Sequence, residues 1–140
     1  MAVSVLIVED DRNIAELLQM YLEKEGYAVT VAHDGGQGLS KYRAIRPDLV
    51  LLDVMMPVMD GWTVCKTIRA ESQTPVIMLT AKGETDDKVQ GLNINKLAIF
   101  HKSYIYFNIS LLILLHNITQ NINRSISAPI LKIFCFNLFN

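Results

Sequence analysis

The segment Leu51-Leu52-Asp53-Val54-Met55-Met56-Pro57-Val58-Met59-Asp60-Gly61 ends an apolar run on a carboxylate and then turns sharply. Two further runs end in a similar way: Val5-Leu6-Ile7-Val8 enters Glu9-Asp10-Asp11, and Val76-Ile77-Met78-Leu79 enters Thr80. Short, unbroken apolar runs suit strands of a parallel sheet that is covered on both faces. In an open parallel sheet the carboxyl ends of the strands lie side by side, and ligands bind in the crevice outside them. Carboxylates and a hydroxyl gathered there point to a hard cation and a phosphoryl group.

Between these runs the spacing turns helical. Residues 13–25 place Ile14, Leu17, Leu18, Tyr21 and Leu22 on one face, with Gly26 as a C-terminal cap. Residues 27–32 alternate like a strand. Asp34-Gly35-Gly36 opens a second helix that stops before Arg46-Pro47, because the residue preceding a proline is pushed out of helical geometry. Residues 48–53 form the third strand and residues 62–70 the third helix. Pro75 starts the fourth strand, and residues 84–91 form a fourth helix with acids in its first turn. Regular β-α alternation predicts right-handed crossovers and helices on both faces of a parallel sheet.

The chain has 140 residues, room for one domain with a real core. Its formal charge of −1 hides an asymmetry. Residues 1–91 carry all 14 acidic side chains against 9 basic ones, whereas residues 92–140 carry only Lys96, Lys102, Arg124 and Lys132. The acidic part argues against direct nucleic-acid binding, which needs clustered Lys and Arg. Cys65 and Cys135 fall in the two different regions and make neither a disulfide framework nor a metal spacing, so a reduced cytoplasmic compartment is expected. No basic segment followed by an apolar one opens the chain, so no signal peptide is expected.

After Leu92 the composition changes. Residues 92–140 contain no Asp, Glu or Gly, and Ile, Asn, Lys, Phe and Tyr make up 28 of these 49 residues. That bias is the signature of AT-rich codons rather than of alternating α/β packing. Residues 103–123 carry no formal charge, which raises the question of a membrane span. The dense apolar part, residues 104–115, is interrupted by Asn108 and Ser110 and falls short of the ~20 residues a span needs. A buried helix is the better reading.

If Glu9, Asp10 and Asp53 converge, their repulsion in a partly desolvated cleft calls for a cation. Mg²⁺ fits, because it takes a few carboxylates and keeps waters that a phosphate can displace. An Asp carboxylate can also attack phosphorus to form an acyl phosphate. Asp10 then belongs to the cation cup and Asp53 to the attack; the Met55 carbonyl is a further ligand candidate, and the Thr80 hydroxyl a donor to the new phosphoryl oxygens. Simpler roles stand beside these. Asp11 reads as the N-cap of the first helix, Asp53 as a turn-forming Asx residue, Thr80 as a plain strand-end hydroxyl, and Asp60-Gly61 as a turn without chemistry. The joint spacing favours the chemical reading.

Residues 8–11, 51–61 and 75–83 closely resemble the receiver domain of two-component response regulators, and Tyr21-Leu22-Glu23-Lys24-Glu25-Gly26-Tyr27 with Ala32-His33-Asp34-Gly35 is similar to the OmpR-type branch. The resemblance covers residues 3–92. It implies a flavodoxin-like doubly wound parallel sheet of order 2-1-3-4-5 and a signalling switch rather than an enzyme. Asp53 would be the phosphoacceptor, Glu9, Asp10, Asp53 and Met55 the Mg²⁺ site, and Thr80 the switch hydroxyl. The phosphodonor would be the phosphohistidine of a sensor kinase, and a homodimer is a further expected partner state.

The resemblance lapses after Gly91-Leu92. The family continues with Gly-Ala-Asp-Asp, a strand bearing an aromatic switch residue, Lys-Pro and a fifth helix. Here Ile99 sits at the aromatic position, Lys102 falls in register with the phosphate-binding lysine, and Ser103 replaces the proline. The alternative for Lys102 is a surface lysine in register by chance. Residues 1–92 are therefore expected to be a receiver core. Residues 93–140 are an atypical apolar tail in the place of an atypical or disrupted fifth strand and helix, although residues 97–100 can still form a strand. The competing reading is a truncated or frameshifted, non-signalling remnant that acts at most as an interaction module. Phosphatase chemistry lacks its Asp-x-Asp after the first strand, and flavin binding would meet repelling carboxylates where it needs a phosphate loop.

Overall fold

The structure, a computed structural model, describes residues 2–80 and 97–101. Eight elements follow in order: β1 (Ser4–Val8), α1 (Arg12–Lys24), β2 (Ala28–Ala32), α2 (Gly35–Ile45), β3 (Leu49–Asp53), α3 (Gly61–Glu71), β4 (Val76–Thr80) and β5 (Leu97–His101). Each expected element within the described residues is present, with ends displaced by a residue or two, where helices and strands fray. The expected helix at residues 84–91, the apolar segment 104–115, Lys102 and the rest of the tail lie outside the described residues.

All strand pairings are parallel and the order is β2-β1-β3-β4-β5. The atypical composition after Leu92 does not keep residues 97–101 out of the sheet. Leu97 pairs with Val76, Ile99 with Met78 and His101 with Thr80. The local text Leu-Ala-Ile-Phe suits a pleated, apolar neighbour, and that outweighs the compositional shift.

Side chains alternate across the sheet. Val5, Ile7, Leu49, Leu51, Ile77 and Leu79 pack on the side of α1 with Leu18 and Leu22. Leu6, Val8, Val50, Leu52, Val76 and Met78 pack on the opposite side with Leu39, Val64 and Ile68 of α2 and α3. β1, β3 and β4 are thus buried on both faces, as their unbroken apolar text requires.

Each described helix begins on an aspartate. Asp11 accepts from the amides of Asn13 (2.9 Å) and Ile14 (3.2 Å), Asp34 from Gln37 (2.7 Å) and Asp60 from Thr63 (2.8 Å). An N-cap carboxylate satisfies amides that have no partner within the helix and opposes its positive end. α1 stops at Gly26, whose φ of 91° only glycine adopts without strain; the amides of Gly26 and Tyr27 then reach back to the carbonyls of Glu23 and Leu22, each at 3.0 Å.

α2 sits close on β1, where a Cβ at Gly38 would come within 2.9 Å of Val8. At the far ends of α2 and α3 the Tyr42 hydroxyl meets those of Ser72 and Thr74, and Arg43 pairs with Glu71. These links tie the two helices together at the sheet edge opposite the carboxyl ends of the strands. On the outer strand β2, Lys41 Nζ donates to the Val31 carbonyl at 2.5 Å, which occupies one group of an otherwise open edge. No described helix is long and apolar enough to cross a membrane.

Candidate functional site

Parallel pairing brings the ends of β1, β3 and β4 to one edge. Glu9 leaves β1 with its amide bonded to the Ala32 carbonyl at 3.0 Å, a contact that holds the turn against the end of β2. Its side chain is fully buried, and Oε1 accepts from the Asp11 amide at 3.2 Å. Asp53 is the last residue of β3 and is 1 % exposed. Its Oδ1 accepts from the Met55 amide at 3.1 Å, so the Asx turn anticipated at this position is formed. Asp10 is exposed at the rim.

Glu9, Asp10 and Asp53 each offer an oxygen, and the three lie within 4.8 Å of one another. Two buried carboxylates and a third at the opening concentrate negative charge where water is scarce, a state that a cation relieves. All-oxygen donors favour a hard ion such as Mg²⁺ over a soft one. The donor set therefore fits the expected metal. Asp11 stands apart from the cluster as the N-cap of α1, which separates the roles of the adjacent acids.

Thr80 ends β4, one residue beyond the Leu79 that pairs with Asp53, so its backbone stands at the same sheet edge. Met55 follows the Asx turn with its side chain 56 % exposed. Lys102 lies outside the described residues.

The structure adds three neighbours that sequence reasoning did not assign. His33 Nδ1 lies 3.1 Å from the Glu9 carbonyl oxygen and braces the β1 turn from the loop after β2. Its place after a strand adjoining β1 was the available signal. Asp60, read as part of a turn without chemistry, caps α3. At Gly61 an added Cβ would come 2.1 Å from the Asp53 carbonyl oxygen and 2.8 Å from Val54 Cα, while the Gly61 amide donates to the Val54 carbonyl at 2.9 Å. Gly61 thus lets α3 begin directly against the backbone of Asp53. Trp62, the next residue, is 4 % exposed and belongs to the core under this loop.

The transcriptional regulatory protein CseB of Streptomyces coelicolor is 53 % identical over 88 residues, 63 % of this chain and 38 % of that protein. The DNA-binding response regulator MtrA of Mycolicibacterium smegmatis is 50 % identical over 88 residues, 63 % of this chain and 39 % of that protein. The chain thus spans about two-fifths of the length of these curated relatives. Among solved structures, the response regulator protein TrrA of Thermotoga maritima, determined in complex with Mg²⁺-BeF, superposes with a TM-score of 0.70 at 31 % identity, covering 83 % of this chain and 98 % of that one.

Receiver domains are signalling switches rather than classical enzymes; they bind Mg²⁺ through an acidic pocket and interact with sensor kinases. The family match runs past Leu92, where the resemblance read from the sequence stopped. Over residues 5–108 the chain matches the response regulator receiver domain, and it belongs to that family.

Proposed function

We propose that this chain is a phosphoaccepting switch whose Asp53 takes a phosphoryl group from the phosphohistidine of a sensor kinase in a Mg²⁺-dependent transfer. The observation that carries the reading is the convergence of Glu9, Asp10 and Asp53 within 4.8 Å at the end of the sheet, with Asp53 closing a central strand. An Asp53 carboxylate oxygen forms the bond to phosphorus, the phosphorus–nitrogen bond to the imidazole breaks, and the imidazole nitrogen regains a proton. Asp10, Asp53 and the Met55 carbonyl would hold Mg²⁺, with Glu9 supporting the cup. The bound ion would supply neutralisation of the charge that develops on the phosphoryl oxygens.

The chain's own residues do the rest. The Met55 amide orients Asp53 through Oδ1. Glu9 is held by the Asp11 amide and by the strand end beneath it. The Thr80 hydroxyl and the Lys102 ammonium are assigned to the phosphoryl oxygens, the change that a switch transmits. Residues 1–92 form the receiver core and residues 93–140 its divergent continuation. The assigned compartment is the cytoplasm, a homodimer is the assigned self-association, and contact with nucleic acid is not assigned to this chain.

A second reading rests on the tail, which has no acidic residue after Asp87 and an apolar, Asn-rich text. A receiver remnant whose phosphoacceptor site is not completed, and which therefore does not signal, would have that character. Treatment with acetyl phosphate and Mg²⁺, followed by mass spectrometric mapping, distinguishes the two. The switch acquires one acyl phosphate at Asp53, lost in Asp53→Asn; a remnant without a formed site acquires none.

A further inference from the structure

Val58 has φ of 69°, and the amide of Met59 donates to the Pro57 carbonyl at 2.8 Å. This is a γ-turn of the rarer, positive-φ kind, strained for any L residue and most unwelcome to a β-branched one. The side chain that occupies it is 109 % exposed, so no described residue packs on it. Met55, three residues earlier, is also an exposed apolar side chain, whereas Val54 and Met56 beside it are buried.

The surrounding loop is held firmly enough to impose the strain. The Val54 amide donates to Leu79 at 3.1 Å, the Gly61 amide to Val54 at 2.9 Å, and Asp60 caps α3. Met59 packs against the core so closely that a Cβ at Gly35 would come within 3.0 Å of it. Turning the chain at Val58 is what lets Met59 point inward. Glycine or asparagine would make the same turn with less strain. Among the described residues nothing favours valine there, and backbone strain of this kind gathers at functional sites.

We propose that Val58 is a specificity-determining contact: an apolar knob, held outward by the γ-turn, that seats on the surface of the phosphohistidine-bearing protein when it delivers its phosphoryl group to Asp53. The inference rests on the phosphoacceptor reading above. Asp53 is almost fully buried, and the loop that follows it carries Met55 and Val58 exposed at the same end of the sheet, a rim beside the site. A small donor can pass that rim. A histidine side chain reaches only about 6 Å from its own backbone, so a protein donor must lay its surface on the rim, and an exposed valine there meets it with apolar area at no loss of internal packing.

The test compares two donors on Val58→Gly, Val58→Asn and Val58→Ile. Acetyl phosphate is the small donor. The protein donor is the autophosphorylated cytoplasmic portion of whichever sensor histidine kinase in a panel transfers fastest to the wild-type chain. The expected result is wild-type labelling of all three by acetyl phosphate. Transfer from the kinase is expected to be slower by roughly five-fold for Val58→Gly and Val58→Asn, the size of losing one apolar interface side chain, and preserved in Val58→Ile. Undiminished kinase transfer to Val58→Gly and Val58→Asn overturns the proposal, as does equal slowing with both donors, which would assign Val58 to the shape of the Asp53 site. It is also overturned if no kinase in the panel transfers to a wild-type chain that acetyl phosphate labels. Failure of acetyl phosphate to label the wild type would instead refute the phosphoacceptor reading, and the docking contact with it.

Discussion

Replacing Asp53 by asparagine is expected to stabilise the protein in metal-free buffer. One carboxylate oxygen from each of Glu9, Asp10 and Asp53 lies within 4.8 Å of the other two, and at an effective dielectric of about 20 two unit charges at that separation repel by about 3 kcal/mol. The Asp53–Glu9 pair is buried, where such repulsion is least screened by water, whereas Asp10 is exposed and largely screened. Asparagine retains a carbonyl oxygen to accept from the Met55 amide, so the hydrogen bond at 3.1 Å survives the change. Allowing for relaxation, the variant gains about 1–3 kcal/mol, a rise of several degrees in melting temperature for a domain this size. Added Mg²⁺ then reverses the order of benefit. At a tenfold excess over its dissociation constant the ion stabilises wild type by about 1.4 kcal/mol, and it does much less for Asp53→Asn. Thermal melts followed by circular dichroism, with chelator and with Mg²⁺, measure all four values. A variant that melts at or below wild type in chelator and responds equally to Mg²⁺ would refute the electrostatic account of the cluster.

Gly61→Ala forces a methyl group to within 2.1 Å of the Asp53 carbonyl oxygen; a loss of about 3 kcal/mol or more in denaturant titrations and slower acetyl phosphate labelling should follow, since backbone rather than a side chain must move. Burial pushes the Cys65 thiol pKa up, so the stability it contributes is fully present below the ordinary thiol value and is lost as pH rises through the raised one. Cys65 should resist alkylation in the folded protein at pH 8 and react in denaturant, as peptide mapping will show. Arg43 holds the Glu71 carboxyl below its ordinary value, so that pair contributes above the ordinary carboxylate range and ceases to as pH falls through the lowered value. The difference in melting temperature between wild type and Glu71→Gln should be small and should vanish in acid. A gap that persists at pH 2 would remove the ion pair as its cause.

The elements were legible because each signal was local. Apolar runs gave the strands, the 3.6-residue spacing of Leu18 and Leu22 gave α1, and Asp11 and Asp34 marked helix starts. Asp53 was legible as both an Asx turn and a member of the acidic cluster, since its place at the end of an apolar run survives any packing. The contacts that brace the site were not legible, because they join residues distant in sequence. His33 meets the Glu9 carbonyl across two strands, and Gly61 faces the Asp53 backbone only once α3 has docked. Val58 is the clearest case. A valine by type argues against positive φ, and the tertiary demand that Met59 turn inward while Asp60 caps α3 overrides it. At residues 97–101 a local strand-forming text prevails over a composition that pointed away from the sheet.

The central claim is that three converging acids make Asp53 a cation-dependent phosphoacceptor. The rate of acetyl phosphate labelling as a function of Mg²⁺ concentration, in wild type and in Asp10→Asn, tests it most directly. The account predicts a saturable dependence on Mg²⁺ in wild type, negligible labelling in chelator, and a curve moved to higher Mg²⁺ by Asp10→Asn while the adduct still maps to Asp53. Labelling that proceeds equally in chelator, or whose Mg²⁺ dependence ignores Asp10, would contradict it.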